Sequence, residues 1–165
     1  MIHEPMTMAT DYLLVVAAAY FAVRLWQSGA RPWPMAFAFT AIGSFTGGTY
    51  HGIGPHLHPK VDAALWKVTV FSIGLASFFL LTGAIVATTE GPMRRALMLF
   101  AVLMFVGYAS WMIWHDDFKY VIADYGMILV LVGLLSAIAW ARVRLGAAPW
   151  ILARIGGAGI PGGVQ

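Results

Sequence analysis

The chain has 165 residues, of which 61% are hydrophobic and only 10% charged, and its mean hydropathy of +0.80 lies beyond that of an ordinary soluble domain. It contains no cysteine, which excludes disulfides, iron–sulfur clusters and thiolate metal sites and leaves His, Asp, Glu and water as ligands for any metal. The net charge of +3 comes from ten basic residues scattered around apolar runs; they form no patch of the kind that binds nucleic acid and read instead as membrane-topology signals.

In chain order, the first stretch, MIHEPMTMATDY, carries Glu4 and Asp11 and no Lys or Arg. A secretory signal begins with positive charge, so the first apolar run reads as a retained helix. A helix crosses the hydrocarbon core with about 20 mostly apolar residues, and five stretches meet that length, at about 10–27, 33–51, 62–88, 94–114 and 120–142. Arg31, Pro32 and Pro34 separate the first two. Pro55 and Pro59 break the chain between the second and third, TTEGPMRR between the third and fourth, and HDDFK between the last two. The expected fold is therefore all-α, a polytopic bundle of five transmembrane helices forming a single domain over 1–150. The Gly-rich segment 151–165 reads as a loose tail.

Basic residues near span ends set the orientation. One membrane side receives Arg24, Arg31, Arg94, Arg95, Arg142, Arg144 and Arg154, and the other only Lys60, Lys67 and Lys119. Seven against three makes the arginine side cytoplasmic and puts the N-terminus outside, which in a bacterial inner membrane means the periplasm. All five histidines and six of the seven acidic residues fall on that outer side.

Within this outer set, the second span places Ser44, Gly47, Gly48 and His51 on one helical face. Gly43 and Gly47 form a small-x-x-x-small pattern that admits another helix, or a neighbouring membrane subunit, at close range. Asp62 opens the third span, where an acid favours the helix dipole. Of Asp116 and Asp117, one is expected to cap the fifth span. Asp124 lies about a turn inside that span, where an ionisable group faces a bundle interior or a wet cavity. Taken together, His51, Asp62, His115 and Asp124 come from four span ends that meet one membrane face, a plausible first shell for zinc with room for a water that ionises near neutrality.

The stretch from Ser44 through His51 and Asp62 to Lys67, with His115 at the end of WMIWH, resembles the alkaline ceramidase and adiponectin-receptor superfamily of membrane hydrolases. Those proteins carry Ser-x-x-x-His, an Asp at the next helix start and a final His-x-x-x-His. Here Gly47 stands at the serine position and Trp111 at the first histidine of the last pair, and five spans replace the family's seven. The resemblance implies a zinc site and cleavage of a lipid amide or ester, with Ser44 substituting for the missing serine.

The expected function is accordingly an integral-membrane zinc hydrolase acting on a lipid-like substrate at the outer face. His51 and His115 hold the metal, Asp62 or Asp124 manages the water's proton, and Ser44 stabilises an oxyanion. The alternatives are an accessory subunit packing through the Gly43/Gly47 face, or a b-type haem held between His51 and His115.

Overall fold

A computed structural model of the protein describes residues 2–29 and 31–157, with side chains up to residue 143. Helices α1 (Pro5–Gln27), α2 (Trp33–Ile53), α3 (Pro59–Thr88), α4 (Gly91–Trp114) and α5 (Phe118–Gly157) follow one another, with one 3-10 turn at Gly54–His56 between α2 and α3. No strand occurs among the described residues. The first four helices each carry a proline in their opening turn, where the missing N–H would have had no intrahelical acceptor. Gly29 and Gly91, with φ of +72° and +58°, turn the chain back after α1 and α3, a left-handed conformation that costs glycine little.

The chain is an integral membrane protein by its helices. Four of them, α1, α3, α4 and α5 across Phe118–Val143, are long and apolar enough to cross a membrane. Helix α2 is not among these four; its 21 residues are interrupted by Thr40, Ser44, Thr46, Thr49 and His51. Helix α1 begins at Pro5, earlier than its apolar run suggests, which brings His3 and Glu4 over the end of α2. Helix α5 continues through Gly157, so residues 151–157 are helical where the composition points to a loose tail, and 158–165 lie outside the described residues.

Helix α3 is the hub. It packs against α2, α4 and α5, whereas α1 packs on α2. The starts of α1, α3 and α5 and the ends of α2 and α4 share one end of the bundle, here called the histidine end. Direct contacts establish this: His3 and Glu4 N–H groups donate to the Gly52 and His51 carbonyls at 3.0 and 3.2 Å. Lys67 Nζ donates to the Met112 carbonyl at 2.7 Å, and Trp66 Nε1 to the Asp116 carbonyl at 3.0 Å.

Association of apolar helices in lipid gains little from the hydrophobic effect and relies on close packing and a few hydrogen bonds. Both are visible. Gly43 packs against Ser72 and Ile73 of α3, and Gly47 against Thr69, so the small-residue face that the sequence offers to a neighbouring subunit is used by this chain's own α3. Thr69 Oγ1 donates to Thr46 Oγ1 at 2.8 Å in the same contact. On the other side of α3, Val70, Tyr108, Met112 and Val121 form one buried cluster, and Leu81, Ile85, Ala101 and Ile128 another.

Candidate functional site: a lateral cleft

Because α2 and α5 both pack on α3 without substantial contact between them, a cleft of about 550 Å³ remains between α1, α2, α3 and α5. That volume lies within the range of small-molecule sites. Thr7, Asp11 and Leu14 line it from α1, and Thr40, Gly43, Ser44, Gly47 and His51 from α2. Helix α3 supplies its floor through Trp66, Thr69, Ile73 and Ala76, and α5 the far wall through Phe118, Val121, Ile122, Tyr125 and Gly126. Ile122 and Tyr125 are also exposed on the bundle surface, so the cleft opens sideways between α2 and α5.

The cleft is polarised along its length. Its ionisable groups, Asp11 and His51, sit near the histidine end, and the opposite end is apolar around Ile73, Ala76 and Gly126. From His51 to Thr40 the α2 wall rises about 16 Å, and from Trp66 to Ala76 the α3 floor rises about 15 Å, at ~1.5 Å per residue. This is about half of the ~30 Å hydrocarbon thickness. Tyr50, Trp66 and Phe118 form an aromatic rim at the polar end, with centroids 5.0 and 5.7 Å apart.

His51 has a defined setting. Its Nδ1 lies 3.0 Å from Glu4 Oε2, and the other Glu4 oxygen lies 3.7 Å from His3 Nδ1. Asp11 also interacts electrostatically with His51. It reaches the cleft because Gly48 has no side chain: a Cβ there would lie 2.9 Å from Asp11 Cβ and 3.2 Å from the Tyr12 ring. Tyr12 Oη and Thr49 Oγ1 are hydrogen-bonded at 3.1 Å in the same contact.

The residues singled out by sequence are distributed over several places. His51 and Ser44 both line the cleft, but seven residues along one helix separate them by about 10 Å, too far for a direct hydrogen bond. Asp62 lies in the first turn of α3, with its carboxylate against Gly54 and Oδ1 buried without a hydrogen-bond partner. The cap of α3 is His58, whose Nδ1 accepts from Lys60 N–H at 3.3 Å.

His115 ends α4. Its Nδ1 contacts the Trp111 carbonyl of its own helix at 2.9 Å, and its ring stacks on Trp111 at 3.8 Å. It is not part of the cleft wall. Asp124 faces the bundle interior, as its position within the span implies, but on another side of α3. With Gly74, Ser77, Ala101 and Phe105 it borders a void of about 10 Å³. Its carboxylate approaches Ser77, whose Oγ is buried yet makes no hydrogen bond of good geometry. Among the described residues, no three His, Asp or Glu side chains are placed to hold one metal ion.

Sequence reasoning left Glu4 and Asp11 unassigned. For Asp11 the signal was present: an acid more than a turn inside a membrane-length helix marks an interior or wet position. For Glu4 it was not, because its role depends on where α1 begins and on how α1 crosses the end of α2.

Bundle and lateral cleft together define a helical integral membrane protein with a laterally open cleft between its helices. The chain belongs to DUF6962, a family of unknown function, whose match covers residues 6–165. It matches no curated protein and no solved structure, and no named relative links it to the ceramidase and adiponectin-receptor superfamily.

Proposed function

We propose that the protein takes one amphiphilic, lipid-like molecule from the surrounding bilayer into the cleft, with its head group at Asp11 and His51 and its tail along Ile73, Ala76 and Gly126. The observation that carries this reading is the match of shape to polarity: a laterally open slot with ionisable groups at one end and an apolar remainder. In this reading α2 completes five membrane spans. Its polar residues are tolerated there because α1 and α3 cover the face that bears Gly43, Thr46, Gly47 and Gly48. The arginine bias then puts the histidine end on the outer, periplasmic side of a bacterial inner membrane.

Hydrolysis of the bound molecule is the chemical extension of the same site. His51, held at Nδ1 by Glu4, keeps Nε2 for a proton from water or from the head group. The zinc-dependent form suggested by sequence needs His115 beside His51, with Asp62 or Asp124 to manage the water's proton; His115 instead stacks on Trp111, and Asp124 borders a separate void. The His51–Glu4 pair is therefore the feature that supports acid–base chemistry.

The test uses Gly126, where an added Cβ meets no atom within 4 Å. Gly126→Trp introduces an indole at the apolar end, at a position where its Cβ meets no neighbour. Native mass spectrometry of protein released from lipid nanodiscs is expected to show a retained lipid-like adduct on the parent chain and its loss from Gly126→Trp, at unchanged helix content. Equal adduct occupancy in both proteins contradicts the cleft as the binding site.

A further inference from the structure

The composition of the cleft's polar end goes further than amphiphile binding and specifies the head group. Two carboxylates, Asp11 in the wall and Glu4 behind His51, converge there. A third, Asp62, lies behind Gly54 just beyond the end of α2. Among the described residues, no Lys or Arg lines the cleft. Of the three lysines at this end, Lys67 is committed to the Asp116 carboxylate and to the Met112 and Ile113 carbonyls, and Lys119, in the first turn of α5, to Asp117 at 2.6 Å; Lys60, in the first turn of α3, is outside the cleft lining. Neutral hydrogen-bonding groups, the hydroxyls of Thr7, Thr40, Ser44, Thr69 and Tyr125, supply the rest of the polar lining.

A phosphate or carboxylate head group placed here would meet like charge in a partly desolvated slot, where repulsion is stronger than in water. An ammonium would meet opposite charge and acceptor oxygens at the place where an amphiphile's head must sit. We infer that the cleft selects an amphiphile with a cationic amine head, and discriminates against anionic lipids, through Asp11 with Glu4 and His51 behind it. This rests on the amphiphile-binding reading above and adds the charge of the ligand to it.

The experiment uses three photoreactive probes of one twelve-carbon tail with a diazirine near its end: a primary amine, an alcohol and a carboxylate. Each is added to the full chain in phosphatidylcholine nanodiscs, and the sites of crosslinking are mapped by peptide mass spectrometry. The expected result is labelling at Ile73, Ile122 or their neighbours in the order amine, alcohol, carboxylate, with the amine ahead of the carboxylate by about tenfold or more. Asp11→Asn is expected to bring amine labelling down to the alcohol's level and leave the alcohol unchanged, and Asp11→Glu to keep the preference.

Equal labelling by all three probes, or preference for the carboxylate, overturns the charge selection while leaving the cleft as a binding site. Failure of every probe to label the cleft overturns both. Because the order of the three probes on the parent chain is itself decisive, the result does not depend on the variants folding.

Discussion

At the residue scale, close approaches between helices depend on single side chains. Gly74 of α3 is the sharpest case, because a Cβ there would run into the Tyr108 ring. That ring is not free to yield, since Tyr108 Oη donates to the Val70 carbonyl at 2.8 Å and the side chain is buried between α3 and α4. Gly74→Ala is therefore expected to destabilise the bundle by about 1–3 kcal/mol, the usual range for overpacking a tight contact. Thermal unfolding in nanodiscs measures it, and an unchanged midpoint would show that α3 and α4 can separate without loss. The same scale shows the limits of sequence reading. That His51 and Ser44 share one face of α2 was legible, because helical periodicity puts them there. That His51 pairs with Glu4 was not, because a contact between residues 47 apart in sequence depends on how two helices cross. His115 was misleading for a related reason: periodicity gives the face of a side chain on its own helix, but not its stacking on Trp111 or the side of the bundle that face meets.

At the element scale, the breaks between helices were largely written in the prolines, glycines and charges, and the helices follow them except at the start of α1 and the end of α5. Their ends are tied by side chains that sequence could only nominate. Lys67 and Trp66 reach from α3 to carbonyls at the end of α4 and in the connection after it, and Arg94 reaches back to the Thr89 and Val86 carbonyls at the end of α3. These charges satisfy groups that a helix terminus leaves open. The start of α5 behaves as expected of its aspartates: Lys119 N–H donates to Asp117 Oδ1 at 3.0 Å. Hydrogen bonds from the Lys119 side chain, first, and from its backbone N–H hold the Asp117 carboxyl below the usual carboxylate range. A carboxyl depressed in the folded state stabilises above its unfolded value of about 4, and that contribution is lost as pH falls through the lower folded value. Amide exchange is thus expected to show protection of the first turn of α5 declining below about pH 4. Asp117→Ala, which has no such carboxylate, should give reduced protection at neutral pH and no further decline linked to this group.

At the scale of the whole molecule, the helices are unequally anchored. Helix α3 touches three others, but α1 is held chiefly by α2 and exposes Leu13, Val16, Tyr20 and Val23 on its outer side. Its specific ties include the Tyr12–Thr49 hydrogen bond, the close packing at Gly48, the Glu4–His51 contact and the His3 and Glu4 backbone bonds to the end of α2. In a short-chain detergent, α1 is expected to leave the bundle before the α3–α4–α5 core loosens. Cysteines placed at positions 14 and 122, on opposite walls of the cleft, and spin-labelled for distance measurement would then report a broad, lengthened distribution while helicity by circular dichroism stays constant. A distribution that stays narrow until helicity falls would show one cooperative unit instead.

The cleft's length sets what the protein can do with a captured molecule. If the cleft sits in the bilayer as proposed, a slot that begins at one surface and stops near mid-bilayer is entered from a single monolayer. On the membrane placement proposed here, a guest that enters with its tail inward must back out the same way. The proposed function is thus one of sequestering, presenting or chemically altering a component of one monolayer.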